Sequence, residues 1–249
     1  GGVRQEGVSF GPSNRYNPDA MRATVYIVAS LSWLVGATAL ADAPASAPTS
    51  GAIAAVVTGV GVLDKVQAFY QSTTDYKAAF KQVVRTRSPK RTFHRSGTVF
   101  FKIPGMMRWD YKAPDEVYYV SDGEVLWSYD VEEAIAYRMR VKDWDLFHAL
   151  KFLTGAGNLT RDFDAKVLPT TPEGLTPILL TPRHDDRNFQ SVTLFVDAST
   201  GETRESEVVD PMGNVSRIQF DRPVFKPLPK EGFSFAVPRG VRVQELGPK

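Results

Sequence analysis

Three histidines, His94, His148 and His184, are all the imidazole the chain holds, and cysteine is absent. Metal binding and nucleophilic catalysis need such groups in sets. No two of the three histidines stand at metal-ligand spacing. His184-Asp185-Asp186 is the nearest thing to a cluster, and it falls in a turn-rich segment between two strand patterns, where a solvated loop explains it. There is no Gly-x-Ser-x-Gly elbow, phosphate loop or dinucleotide fingerprint, and no thiol nucleophile exists. Ser121-Asp122-Gly123 reads as a hairpin turn and not as a catalytic triplet. The chain is therefore expected to be no enzyme and to need no cofactor or metal. Two constellations remain. Lys81, Arg85, Arg87, Lys90, Arg91 and Arg95 gather around a turn at Pro89. They are either an exposed hairpin kept soluble by charge or a docking site for an acidic partner or an anionic headgroup. The second constellation is an aromatic surplus on alternating positions. Trp109, Tyr111, Tyr119, Trp127 and Tyr129, with Met107 beside them, are expected on matching faces of adjacent strands. The chemistry of that set is the holding of an apolar ligand, although a sandwich core explains the pattern equally well.

The elements that must position these residues follow from periodicity. Val56, Val60, Leu63, Val66 and Tyr70 recur at three- and four-residue steps, one stripe of an amphipathic helix. After Thr74 the period becomes two. Strands are expected from Tyr76 through Phe80, over Thr92–Ile103, Met107–Tyr111, Glu116–Ser121, Glu124–Tyr129 and Ala134–Arg140, with breaks at Pro104-Gly105 and Pro114. Helical spacing returns over Asp143–Thr154, where Trp144, Phe147 and Leu150 line up with Leu146 and Leu153 adjacent. Further strands are expected over Phe163–Leu168, Pro177–Thr181, Phe189–Asp197, Glu202–Val209, Val215–Asp221 and, briefly, Phe233–Ala236. The fold class is α+β, mainly antiparallel β. Two helical regions and no clear second sheet point to a curved sheet partly closed by helices, which leaves an apolar concavity suited to a ligand.

The first fifty residues read differently. Arg22, the uncharged run Val25–Leu40 and the small residues Ala39-Leu40-Ala41 form a signal peptide over 21–41, cut after Ala41. A membrane anchor is the alternative, but the run is at the short end of a span and no basic stop-transfer cluster follows. Residues 1–20 are an upstream segment outside the fold, and 42–52 is a Pro/Ala/Ser linker. The remaining domain, 53–249, is near neutral in a chain with 30 Lys+Arg against 28 Asp+Glu, which argues against nucleic-acid binding. Without cysteine there is neither a disulfide nor a lipidated N-terminus.

An ordered set of short motifs resembles one family. Gly97-Thr98-Val99-Phe100-Phe101-Lys102-Ile103-Pro104, Arg108-Trp109-Asp110-Tyr111, Pro114-Asp115, Ser121-Asp122-Gly123 and Leu126-Trp127 with Tyr129 are similar to the LolA periplasmic lipoprotein carriers. Tyr76 to Gln82, Leu180-Thr181-Pro182, Asp210 with Gly213-Asn214, Phe220, and Phe235 with Pro238 and Gly240-Val241 follow in the family's order. The resemblance implies an incomplete, half-open barrel of roughly 10–11 strands with a helical lid. It implies a cavity for acyl chains lined by Phe80, Phe101, Met107, Trp109, Tyr111, Tyr119, Trp127 and Tyr129. The lid would carry Leu63, Val66, Tyr70, Phe147, Leu150 and Leu153. Implied partners are acylated lipoproteins as cargo, an inner-membrane Lol ABC transporter as donor and an outer-membrane acceptor of LolB type, with the carrier a monomer in the periplasm. Arg85, Arg87, Lys90, Arg91, Met107 and Arg108 are the implied partner-docking set. Family members carry Arg just before the motif's Pro, where it pins the lid; here Ile103 stands there. Alternative roles are carriage of another lipid or glycolipid, or sensing of lipid or lipoprotein by a regulator of the same fold.

Overall fold

The computed structural model describes residues 50–141, 159–184 and 189–246, with side chains from residue 61 onward. The expected upstream segment, signal peptide and most of the linker lie outside the described residues. So do the second expected helix with Phe147, Leu150 and Leu153, and His148, Asp185 and Asp186.

Helix α1 (Ser50–Ser72) starts three residues before the expected domain boundary at Ile53 and runs through Gly59 and Gly61 without interruption. The helical stripe of the sequence becomes its packed face, with Leu63, Val66 and Tyr70 all buried. At its end the Ser72 and Thr73 hydroxyls both donate to the Phe69 carbonyl, at 2.9 and 2.8 Å, occupying an acceptor that the last turn would otherwise leave open. Among the described residues no helix is long and apolar enough to cross a membrane.

Twelve strands form one sheet, against the 10–11 expected: β1 (Asp75–Thr86), β2 (Arg91–Lys102), β3 (Met106–Tyr111), β4 (Val117–Ser121), β5 (Val125–Asp130), β6 (Ile135–Arg140), β7 (Phe163–Val167), β8 (Thr176–Pro182), β9 (Ser191–Val196), β10 (Thr203–Val209), β11 (Val215–Val224) and β12 (Arg242–Leu246). A short helix, α2 (Leu159–Asp162), leads into β7. The order is β12-β6-β5-β4-β3-β2-β1-β11-β10-β9-β8-β7. Two edges, β12 and β7, stay unjoined, so the sheet curls without closing and the expected half-open barrel is what forms.

Two details differ from the expectation. Phe233–Ala236 is not a strand. Lys230–Phe233 is a 3-10 turn that buries Phe233, and the last strand comes later, as β12. That strand pairs parallel with β6, the one parallel step in the sheet. Between β11 and β12 the chain crosses the convex face as a strap. Arg108 holds the strap there, donating to the Gly232 carbonyl at 3.1 Å.

Candidate ligand-binding face

Strand alternation places one residue in two on the concave face, and the ladder registers fix which ones. Phe80 pairs with Gly97 and Gly97 with Tyr111; Ala78 with Val99, Val99 with Trp109 and Trp109 with Tyr119; Tyr76 with Phe101 and Phe101 with Met107. All of these are buried. The first row explains its glycine. A Cβ on Gly97 would stand 2.7 Å from the Phe80 ring and 2.2 Å from the Asp110 carbonyl oxygen, so only hydrogen lets Phe80 lie across the strand. Phe80 then meets Trp109 and Tyr111 edge-on at 5.0 and 4.9 Å, Phe101 meets Trp109 at 5.9 Å, and Tyr111 meets Tyr119 at 6.1 Å. Edge-to-face contacts of this kind add to the stabilisation from burial alone.

Six of the eight expected cavity residues therefore converge: Phe80, Phe101, Met107, Trp109, Tyr111 and Tyr119. Trp127 and Tyr129 do not. Tyr119 pairs with Ser128, and Tyr118 with Tyr129, so both side chains project from the convex face. There Phe235 of the strap covers them at 5.3 and 5.6 Å. The cause is parity: a hairpin whose loop has an even number of residues pairs odd positions with even ones, so Tyr119 shares a face with Leu126 and Ser128. The docking set also splits. Met107 is buried and cannot meet a partner in this form. Arg108 lies on the convex face, ion-paired with Asp110 at 2.7 Å. Arg85, Arg87, Lys90 and Arg91 are exposed at the β1–β2 tip, as is His94 along β2, and His184 is exposed in its loop.

The concave wall extends further than the sequence suggested. Ile218 and Phe220 of β11 pack on it, and Ile178, Leu180, Val192 and Leu194 complete it with aliphatic groups. The alternation Ser216, Ile218, Phe220 was the signal available for β11.

Helix α1 closes this wall and is itself fastened at the β9–β10 turn. Gly201 sits at φ +80, and a Cβ there would stand 2.3 Å from the Lys65 carbonyl oxygen. The Lys65 ammonium donates to the Ala198 carbonyl at 3.0 Å. Gln67 accepts the first amide of α2, Leu159, at 3.1 Å. Where α1 ends, a small cleft opens between Tyr70, Thr73, Asp75, Tyr76, Phe101, Ile103 and Phe220. Its free volume is about 20 Å³, room for about one water. Phe225, 45% exposed, stands at the rim against Phe69 and Tyr76.

Polar groups in this wall are few. Burial pushes the Tyr70 hydroxyl up to about 12, and burial also raises Tyr76, Tyr111 and Tyr119. The Tyr111 hydroxyl finds no hydrogen-bond partner among the described residues. At the rim, burial works against the Asp75 carboxylate. The hydrogen bond from Lys102 at 2.6 Å, the Leu228 N–H at 2.9 Å and the Lys102 charge outweigh it and hold the pKa below the usual value. Ile103 brings an apolar side chain to the cleft, and its amide donates to the Thr74 carbonyl at 2.9 Å. The described residues offer no group of three metal-ligating side chains.

A single curved, unclosed sheet with an apolar inner wall and a helix packed on it is the architecture of a half-open barrel. Comparison with known proteins gives the family. Residues 71–236 match the family model for outer membrane lipoprotein carrier protein LolA, and the chain belongs to that family. It is 29% identical over 197 residues to the outer-membrane lipoprotein carrier protein of Dechloromonas aromatica, covering 78% of this chain and 93% of that protein. It is 30% identical over 183 residues to the one of Methylobacillus flagellatus, covering 73% and 87%. With the one of Legionella pneumophila strain Corby the figures are 32% over 169 residues, 67% and 81%. The family is one of carriers, and the chain is not an enzyme.

Proposed function

We propose that this protein is a periplasmic carrier that takes up the acyl chains of lipoproteins leaving the inner membrane and delivers them to the outer membrane. The observation that carries the reading is the concave wall itself: Phe80, Phe101, Met107, Trp109, Tyr111 and Tyr119 are buried in one apolar cluster with Leu63, Val66 and Tyr70 of α1. An acyl chain enters by displacing α1, and it takes over the apolar surface that α1 covered. Each buried methylene contributes about 0.8 kcal/mol. Exposing Leu63 and Val66 forfeits about 1.5–3 kcal/mol each. The exchange therefore lowers the net affinity by about 3–6 kcal/mol for these two side chains, the direction that a carrier which must also release its cargo requires. The rim at Phe225 is the entry, since its ring is exposed there against the half-buried Phe69 and the buried Tyr76.

Export with removal of residues 21–41 belongs to this proposal, as do an ABC transporter as donor, an outer-membrane acceptor and a monomeric carrier. The reading is tested by purifying the protein from cells after export and identifying co-purifying lipids by mass spectrometry. Acylated lipoproteins support it. Free glycolipid alone would transfer the protein to a carrier of another lipid. A diacylglyceryl-modified peptide that binds wild type and Trp109→Asp equally, with the variant folded, would remove the concave wall as the site.

A further inference from the structure

The β1–β2 hairpin outreaches its neighbours. β2 pairs with β1 from Arg91 onward but with β3 only from Gly97 onward. The Ser96 carbonyl still accepts the Lys112 amide at 2.9 Å, so Arg91 to Arg95 overhang β3 by about 17 Å at ordinary strand rise. On the other side β11 accompanies β1 as far as the Val215–Arg85 pair, and the β10–β11 turn lies against the overhang. The Arg87 amide donates to Asn214 Oδ1 at 2.9 Å. A Cβ on Gly213, at φ +79, would stand 3.1 Å from the Arg87 Cδ. The two tips form one projection.

The β10–β11 turn is braced from within. The buried Asp210 carboxylate accepts the Met212 amide at 2.9 Å, the Asn214 amide at 2.8 Å and the Asn214 side chain at 2.7 Å. Gln190 donates to the Pro211 carbonyl at 3.2 Å. This rigid turn holds Met212 outward at 72% exposure. Arg85, Arg87, Lys90 and Arg91 stand exposed beside it, and none makes an ion pair among the described residues. The turn's own carboxylate is buried and taken up by amides. Lys81 sits mid-strand and Arg95 is bound to Asp115 at 3.0 Å, so neither belongs to the projection.

We propose that these paired tips seat the protein on an anionic lipid surface, with Met212 entering the headgroup layer and the four cations lying among the phosphates. An apolar apex beside cations has the composition of an interfacial anchor. A convex projection with one apolar side chain lacks the roughly 800 Å² per partner of a stable protein interface, whereas a lipid surface yields around it. The inference is independent of what the concave face binds.

Co-sedimentation of the exported protein with phosphatidylcholine vesicles, with and without phosphatidylglycerol, tests it. Wild type is expected to bind the vesicles containing phosphatidylglycerol, and added salt to weaken the binding. Met212→Asp and the double variant Arg87→Glu/Lys90→Glu should each lower the affinity about tenfold or more, while Met212→Leu keeps it. Equal binding to both vesicle types, unchanged binding in both variants, or capture by an acidic protein without vesicle binding would overturn the proposal. Uptake of the diacylglyceryl-modified peptide is measured on the same samples. It stays unchanged in the tip variants, so failure at the membrane is distinct from failure of the carrier reading.

Discussion

The two faces of strands β3 to β5 carry the same aromatic inventory, one tryptophan and two tyrosines each. On the concave face Tyr111 stacks on Trp109 and meets Tyr119 edge-on, and all three are almost fully buried in the cluster that includes Leu63, Val66 and Tyr70 of α1. On the convex face Tyr118 stacks on Tyr129 at 6.1 Å, and Trp127 lies between Phe235 and the Arg138 guanidinium, 5.8 Å away, all half-buried. The concave cover is a helix face of three large apolar side chains fastened at a few polar points. The convex cover is a single strap pinned by Arg108 and Phe233. Aromatic content is therefore no marker of the binding face. What separates the faces is how much continuous apolar surface the cover seals and whether it can be exchanged for ligand.

The comparison breaks most visibly on truncation of the two tryptophans. Trp109→Ala removes a ring wedged among Phe80, Phe101, Tyr111 and Phe220. It should cost about 3–5 kcal/mol of stability, the range for large core truncations. Trp127→Ala should cost about 1 kcal/mol, since its ring is already partly in water. Urea unfolding of both variants reads the difference. Equal losses would mean that the strap seals the convex face as completely as α1 seals the concave one.

Gly201→Ala tests how α1 is held. The substitution puts a methyl group into the helix backbone at Lys65 and strains a residue at φ +80. We expect a loss of about 1–3 kcal/mol, together with faster hydrogen exchange in α1 and little change in β3 to β5. Exchange that rises equally across β3 to β5 would show that the helix and the concave wall open as one unit.

Much of this arrangement was legible from the chain. Leu63, Val66 and Tyr70 announce the buried stripe of α1 because helical spacing leaves no other face for them. Met107, Trp109 and Tyr111 announce the concave wall because strand alternation does the same. Trp127 and Tyr129 were misplaced although the necessary fact was present: the even hairpin loop after Ser121 inverts the parity across β4 and β5. Alternation within one strand says nothing about which face it shares with the next; the turn decides that. β12 was not legible for another reason. A parallel edge strand reached through a seventeen-residue strap has no local turn to announce it. Gly97 and Gly201 were not legible either, since close approach is set by elements distant in sequence.

The smallest expected effect concerns Glu202, at the junction between α1 and the wall. Its carboxylate is buried, with one oxygen 3.2 Å from Arg204 and the other without a partner among the described residues. Burial raises its pKa, Arg204 opposes this and the charge of Asp197 adds to it. The folded protein therefore holds this proton at pH values where the unfolded chain, at about 4.3, has already lost it. Stability from this group is present at low pH and falls as pH rises through that window. Glu202→Gln removes the buried charge and should stabilise the protein at neutral pH by up to about 1 kcal/mol. The gain should shrink towards zero below about pH 4, where the native glutamate is protonated as well. Thermal melts of both proteins across that range check the sign. A loss at neutral pH would mean that the Arg204 pair outweighs burial, and the charge at Glu202 would then help to fasten the turn on which α1 rests.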